Sequence, residues 1–129
     1  MSLVILPSFQ PQLAGAADLV GGDALFDAWD DLNQIPMPED VQRLQDYRDA
    51  RSELEAWSPE EKLPEDTPHE RWHTAEQGLA TLRALKEHLA QDPNAVVFPD
   101  LVLQDLDGLE KALEAAHRAG AKFHLNMMD

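Results

Sequence analysis

From residue 1 to residue 42 the chain contains no Lys or Arg, yet it carries Asp18, Asp23, Asp27, Asp30, Asp31, Glu39 and Asp40. Such a stretch folds only by turning its apolar residues inward and leaving its carboxylates in water. The excess continues over all 129 residues, with 25 acidic against 10 basic side chains and a formal net charge of -15. A field of that sign repels nucleic acid and anionic membranes and attracts basic proteins. The expected partner is therefore a basic protein, with no nucleic acid and no membrane.

The length suits one domain with a real core. Hydrophobic residues make up 43% and charged residues 27%, which argues for a folded rather than a disordered chain. There is no Cys, so disulfides, thiolate metal sites and Cys nucleophiles are excluded, and the composition fits the cytoplasm. Met1–Ala17 is uncharged but holds Pro7 and Pro11 and no basic region, and it is not expected to act as a signal peptide.

Leu3-Val4-Ile5-Leu6 reads as a buried strand stopped by Pro7. Gln12–Val20 reads as a short helix ended by Gly21-Gly22. Asp23 then caps a helix to about Leu32, with Leu25, Phe26, Trp29 and Leu32 on one face and Asp27, Asp30 and Asp31 on the others. Val41, Leu44, Tyr47, Leu54 and Trp57 space a helix over 39–57. Ser58–Pro68 is a Pro- and acid-rich linker, and Trp72, Ala75, Leu79, Leu82, Leu85 and Leu89 space a helix over 68–90. Together these predict a long helical hairpin over about 39–91. Ala95–Leu103 is rich in strand formers, with Pro99 interrupting. Asp107 and Glu110 suit the start of a helix that stops at Gly120, and Phe123, Leu125 and Met127 alternate with Lys122, His124 and Asn126 as a strand. The C-terminal unit over about 95–128 thus predicts a right-handed βαβ crossover. The expected fold is a single α/β domain over 1–129: a small, mainly parallel three-stranded sheet with four to five helices.

Two patterns carry possible chemistry. His69-Glu70-Arg71-Trp72-His73 fits H-E-x-x-H, in which two His one helical turn apart hold zinc and the Glu serves as general base. Thr67-Pro68-His69-Glu70 also fits a helix N-terminus, with Thr67 as cap and Glu70 reaching back, which accounts for Glu70 without catalysis. No third ligand stands at a familiar spacing. The metal-dependent hydrolase of His69, Glu70 and His73 is therefore the alternative, and the leading reading has no catalytic residue and no cofactor. Asp46, Asp49 and Glu53 form a carboxylate row, but Arg43, Arg48 and Arg51 lie within a turn to pair with them. No Gly-rich phosphate loop is present.

Gly22-Asp23-Ala24-Leu25-Phe26-Asp27-Ala28-Trp29-Asp30-Asp31-Leu32 resembles the helix of the barstar family of ribonuclease inhibitors, with Gly22, Leu25, Trp29, Asp30 and Leu32 in register. Ala119-Gly120 followed by an apolar strand is also similar to the end of that family. The chain departs from it at Leu19-Val20-Gly21, where the family has Tyr-Tyr before its glycine. The resemblance implies a protein that neutralises a basic nuclease, with Asp30 at the position of a main ligand for the nuclease active site. The function expected is an acidic intracellular protein-binding module, inhibitor- or immunity-like, that meets a basic partner through Asp27, Trp29, Asp30 and Asp31. A plain acidic protein with no nuclease-related role is the second alternative.

Overall fold

The structure is a computed structural model that describes residues 4–13, 15, 21–49 and 71–128. Three strands form one sheet: β1 (Val4–Gln10), β2 (His73–Thr74) and β3 (Lys122–Met128), in the order β1-β3-β2. Four α-helices accompany them among the described residues: α1 (Asp23–Asp27), α2 (Trp29–Gln34), α3 (Ala75–Gln91) and α4 (Pro99–Ala119).

Both pairings of the central strand are antiparallel, with Ile5 opposite Met127, Phe9 opposite Phe123, and His73 also opposite Phe123. The mainly parallel sheet expected from the sequence is thus overturned. Its premise was a strand at 95–103 leading into a crossover, and that strand does not exist. Pro99 interrupts nothing; it is the first residue of α4, where its missing N–H is no loss. From there Val102, Leu106, Leu109, Leu113 and Ala116 are buried at helical spacing over the whole helix. Gly120, at φ 69, ends α4 in the left-handed conformation and turns the chain straight into β3.

The helical hairpin over 39–91 is also corrected. Within 39–49 only Leu44–Tyr47 is helical, as a single 3-10 turn. The second helix starts at Ala75 rather than 68, because Thr74 and Gln77 form the capping box: the Gln77 amide donates to Thr74 Oγ1 at 3.2 Å and the Thr74 amide to Gln77 Oε1 at 3.1 Å. The proposed cap at Thr67 and Glu70, the helix over Gln12–Val20 and the linker over 58–68 fall wholly or largely outside the described residues. Strand β1 runs through Pro7, which an edge strand tolerates because no ladder bond is needed there.

The sheet shows one apolar face to the helices. Ile5, Phe9, Phe123 and Leu125 are buried on it, together with Leu79, Leu82 and Leu85 of α3 and Leu106, Leu109 and Leu113 of α4. The other face carries Ser8, His124 and Asn126, with Ser8 Oγ donating to Asn126 Oδ1 at 2.7 Å. Gly78 allows α3 to lie on the sheet: a Cβ there would come within 2.5 Å of Phe123 Cζ and 2.8 Å of Leu113 Cδ1. A buried polar knot ties the 3-10 turn to α3. The Thr81 hydroxyl donates to the Gln42 carbonyl at 2.6 Å, and the Tyr47 hydroxyl lies 2.8 Å from Thr81 Oγ1 and 3.0 Å from the Gln77 carbonyl. Burial pushes the Tyr47 hydroxyl above its ordinary pKa, against the hydrogen bond it shares with Thr81. None of the described helices is long and apolar enough to cross a membrane.

Candidate functional site

The region richest in Asp folds as two short helices with a shared bend at Ala28. The bend does not break the hydrogen-bond ladder: Ala28 N–H donates to Ala24 at 3.0 Å, and Leu32 N–H to Ala28 at 2.8 Å. Leu25, Ala28 and Leu32 are buried against the core, so the polar residues between them are forced outward. Asp23, Asp27 and Asp31 therefore succeed one another a turn apart along one exposed side, about 6 Å between neighbours for four residues of helix.

Helix α1 has no capping side chain of its own, because Gly22 occupies the cap position. The acceptor comes from α4 instead. Asp105 Oδ2 accepts the amides of Ala24 at 3.0 Å and Leu25 at 3.2 Å, which satisfies two orphan donors and sets a carboxylate at the positive end of the helix. The two preceding glycines make room for this arrangement. Gly22 has φ 84 and sits so close to β1 that a Cβ would lie 2.5 Å from the Ile5 carbonyl oxygen, while Gly21 abuts Asp105 Oδ1.

Between α1–α2 and the start of α4 lies a cleft of about 450 Å³. Asp23, Asp27 and Asp31 stand on one wall, and Val97, Phe98 and Leu101 on the other. Those three apolar side chains are the large hydrophobics most open to solvent among the described residues, at 75%, 64% and 54% exposure. Asp105 lies in the same cleft, but its carboxylate is already engaged by the α1 amides. Among the described residues, no cation pairs with Asp23, Asp27 or Asp31. By contrast, Lys86 on α3 bridges both Asp107 and Glu110 of α4, and the hydrogen bond it donates to Asp107 chiefly raises its pKa.

Of the residues picked out from sequence, Asp27 and Asp31 line the cleft. Asp30 is exposed but does not line it, and Trp29 is half-buried, packed against the core as support for the helix. Asp23, Val97, Phe98 and Leu101 complete the walls and were not singled out as a site. Val97 and Phe98 look like strand core in sequence. Only the start of a helix at Pro99 sends Leu101 outward while Val102 turns in.

The H-E-x-x-H pattern is not brought together on a described helix. His69 and Glu70 lie outside the described residues. His73 belongs to β2, with its ring edge-on to Tyr47 at 5.0 Å. Burial, followed by the nearby His124 and Arg71, lowers its pKa from 6.5. Trp72 stacks on the His124 ring at 4.0 Å, and His124 Nδ1 meets the Arg71 carbonyl at 3.0 Å. Among the described residues no group of three or more His, Asp or Glu side chains could hold a metal ion. In the predicted row of Asp46, Asp49 and Glu53, Asp46 caps the 3-10 turn through the Arg43 amide, Asp49 is buried beside His124, and Glu53 lies outside the described residues.

No family model matches this chain, and neither a curated protein nor a solved structure is significantly similar to it.

Proposed function

We propose that this protein is a binding module that docks a basic partner protein in the cleft between α1–α2 and the start of α4. The observation that carries this reading is the meeting, across one cleft, of three carboxylates that pair with no cation among the described residues and three large, exposed apolar side chains. Exposed apolar side chains gathered at a concave surface mark interaction sites. Carboxylates beside them select a cationic partner and speed its encounter, while apolar contacts hold the complex once formed. Asp27 and Asp31 supply counter-charge together with Asp23, and Trp29 acts from beneath by fixing the helix. The effect on such a partner is to mask a cationic surface, in the manner of an inhibitor or immunity protein. Asp30, whose position matches a nuclease ligand in the barstar resemblance, stands outside the cleft and is a secondary contact in this reading.

Titration of the isotopically labelled protein with a small basic protein, followed by amide NMR shifts, tests the site. The expected result is a set of shifts confined to Asp23–Asp31 and Val97–Asp105, reduced at high salt and reduced further in Asp27→Lys. Shifts spread evenly over the acidic surface, unaltered by Asp27→Lys, would leave the charge as a general solubility feature and sink the assignment.

A further inference from the structure

The shape and chemistry of the two walls go further than charge. One is the helical ladder of α1–α2; the other is the first turn of α4 together with Val97 and Phe98, which lie in a bend just before it. Neither wall is a strand, and Asp105 already takes the Ala24 and Leu25 amides. An extended segment laid in the cleft would therefore find no ladder to join, and its own amides would lose water without replacement. A helix brings its backbone bonds with it. The acidic row recurs with the pitch of a helix, so a helix lying alongside can oppose it turn by turn. Asp23 to Asp31 spans about 12 Å for eight residues, which exceeds the reach of one small organic cation. A second copy of the chain is a poor occupant, because each copy carries a net charge of -15.

We propose that the segment received by the cleft is an amphipathic α-helix of the basic partner. Its Lys or Arg residues, one turn apart, face Asp23, Asp27 and Asp31, and an adjoining edge of Leu or Phe covers Val97, Phe98 and Leu101. This inference rests on the docking reading of the cleft. It adds the conformation and residue pattern of what docks.

Two synthetic peptides of identical composition test it against the full chain. In one, Lys recurs at i, i+4 and i+8 beside a stripe of Leu and Phe; in the other the same residues are scrambled so that no face forms. The patterned peptide is expected to bind about tenfold more tightly, to gain helical circular dichroism on binding, and to shift amides at Asp23–Asp31 and Val97–Asp105. Phe98→Ser and Leu101→Ser alter exposed side chains and leave the fold intact. Each should bring the patterned peptide down to the affinity of the scrambled one while leaving the scrambled one unchanged. If both peptides bind equally at the cleft, or the patterned one binds there without gaining helix, the helical occupant is overturned and the docking of basic chains stands. If either peptide binds elsewhere, or neither binds at all, the docking reading itself falls.

Discussion

The two sides of α4 make different use of the same kinds of residue. On the side facing α3 and the sheet, apolar side chains meet apolar side chains, and the Thr81 and Tyr47 hydroxyls find partners in the interior. On the side facing α1–α2, Val97, Phe98 and Leu101 meet water, and three carboxylates stand opposite without a cation among the described residues. One side is internally satisfied and sets stability; the other is complementary to something outside the chain. Substitutions on the first should change folding, and substitutions on the second should change binding with little change in folding.

The largest effect is expected at Gly78. Ala there places a methyl group into the Phe123 ring and against Leu113, in a region with no slack. Overpacking of this kind costs about 1–3 kcal/mol, and the measurement is chemical denaturation of Gly78→Ala. A stability equal to that of the parent would show that α3 can lift from the sheet, and the contrast between the two sides would lose its basis. Thr81→Val comes next. It leaves the Gln42 carbonyl and the Tyr47 hydroxyl each short of a partner, for a loss of about 1–2 kcal/mol. The same change should widen the gap between the Tyr47 titration and that of free tyrosine, since the Thr81 contact opposes the upward push of burial.

Asp105 joins the two sides, and its substitution sharpens the comparison. Asp105→Ala removes the only side-chain acceptor for the Ala24 and Leu25 amides among the described residues, and the loss of a helix cap costs about 1 kcal/mol. Because α1 forms one wall of the cleft, the same variant should weaken peptide binding. Asp105→Asn keeps an acceptor oxygen and should restore most of both. Hydrogen exchange at Ala24 and Leu25 reads the effect directly: slow exchange retained in Asp105→Ala would mean that α1 is held by other contacts.

Some of this was legible in the sequence. The apolar spacing over Ala75–Leu89, the stop at Gly120 and the alternation of the last strand all appear in the structure, because each is a local pattern with a local cause. The parallel sheet was misread for a local reason as well. Val96-Val97-Phe98 and Leu101-Val102-Leu103 look like a strand around a proline, and nothing short of the burial of Val102 with exposure of Leu101 reveals a helix starting there. At the candidate site Asp27 and Asp31 were picked out in sequence, together with Asp30 and Trp29, which do not line the cleft; Asp23 was read only as a cap, and the apolar wall and the Asp105 cap were not seen. Both depend on residues some 70 to 80 positions away, and the register of α4 against α1 is a tertiary fact.

The smallest effect is expected for pH, and it falls on the satisfied side alone. His73 has a pKa below its ordinary value of 6.5 because burial disfavours the charged ring, with His124 and Arg71 adding to that. Its unfolded form takes up a proton at higher pH than its folded form, so the unfolded state is favoured as pH falls. The contribution is absent above about 6.5 and grows as pH drops through that value towards the lowered folded pKa. Stability should therefore decline modestly over that acid interval, and His73→Gln should flatten the decline. Peptide binding at the cleft should not follow His73 over the same interval, because the cleft presents carboxylates and apolar side chains and no His among the described residues. A shared pH dependence of folding and binding that vanished in His73→Gln would show that the two sides are coupled through α3 and α4, and their independence would have to be abandoned.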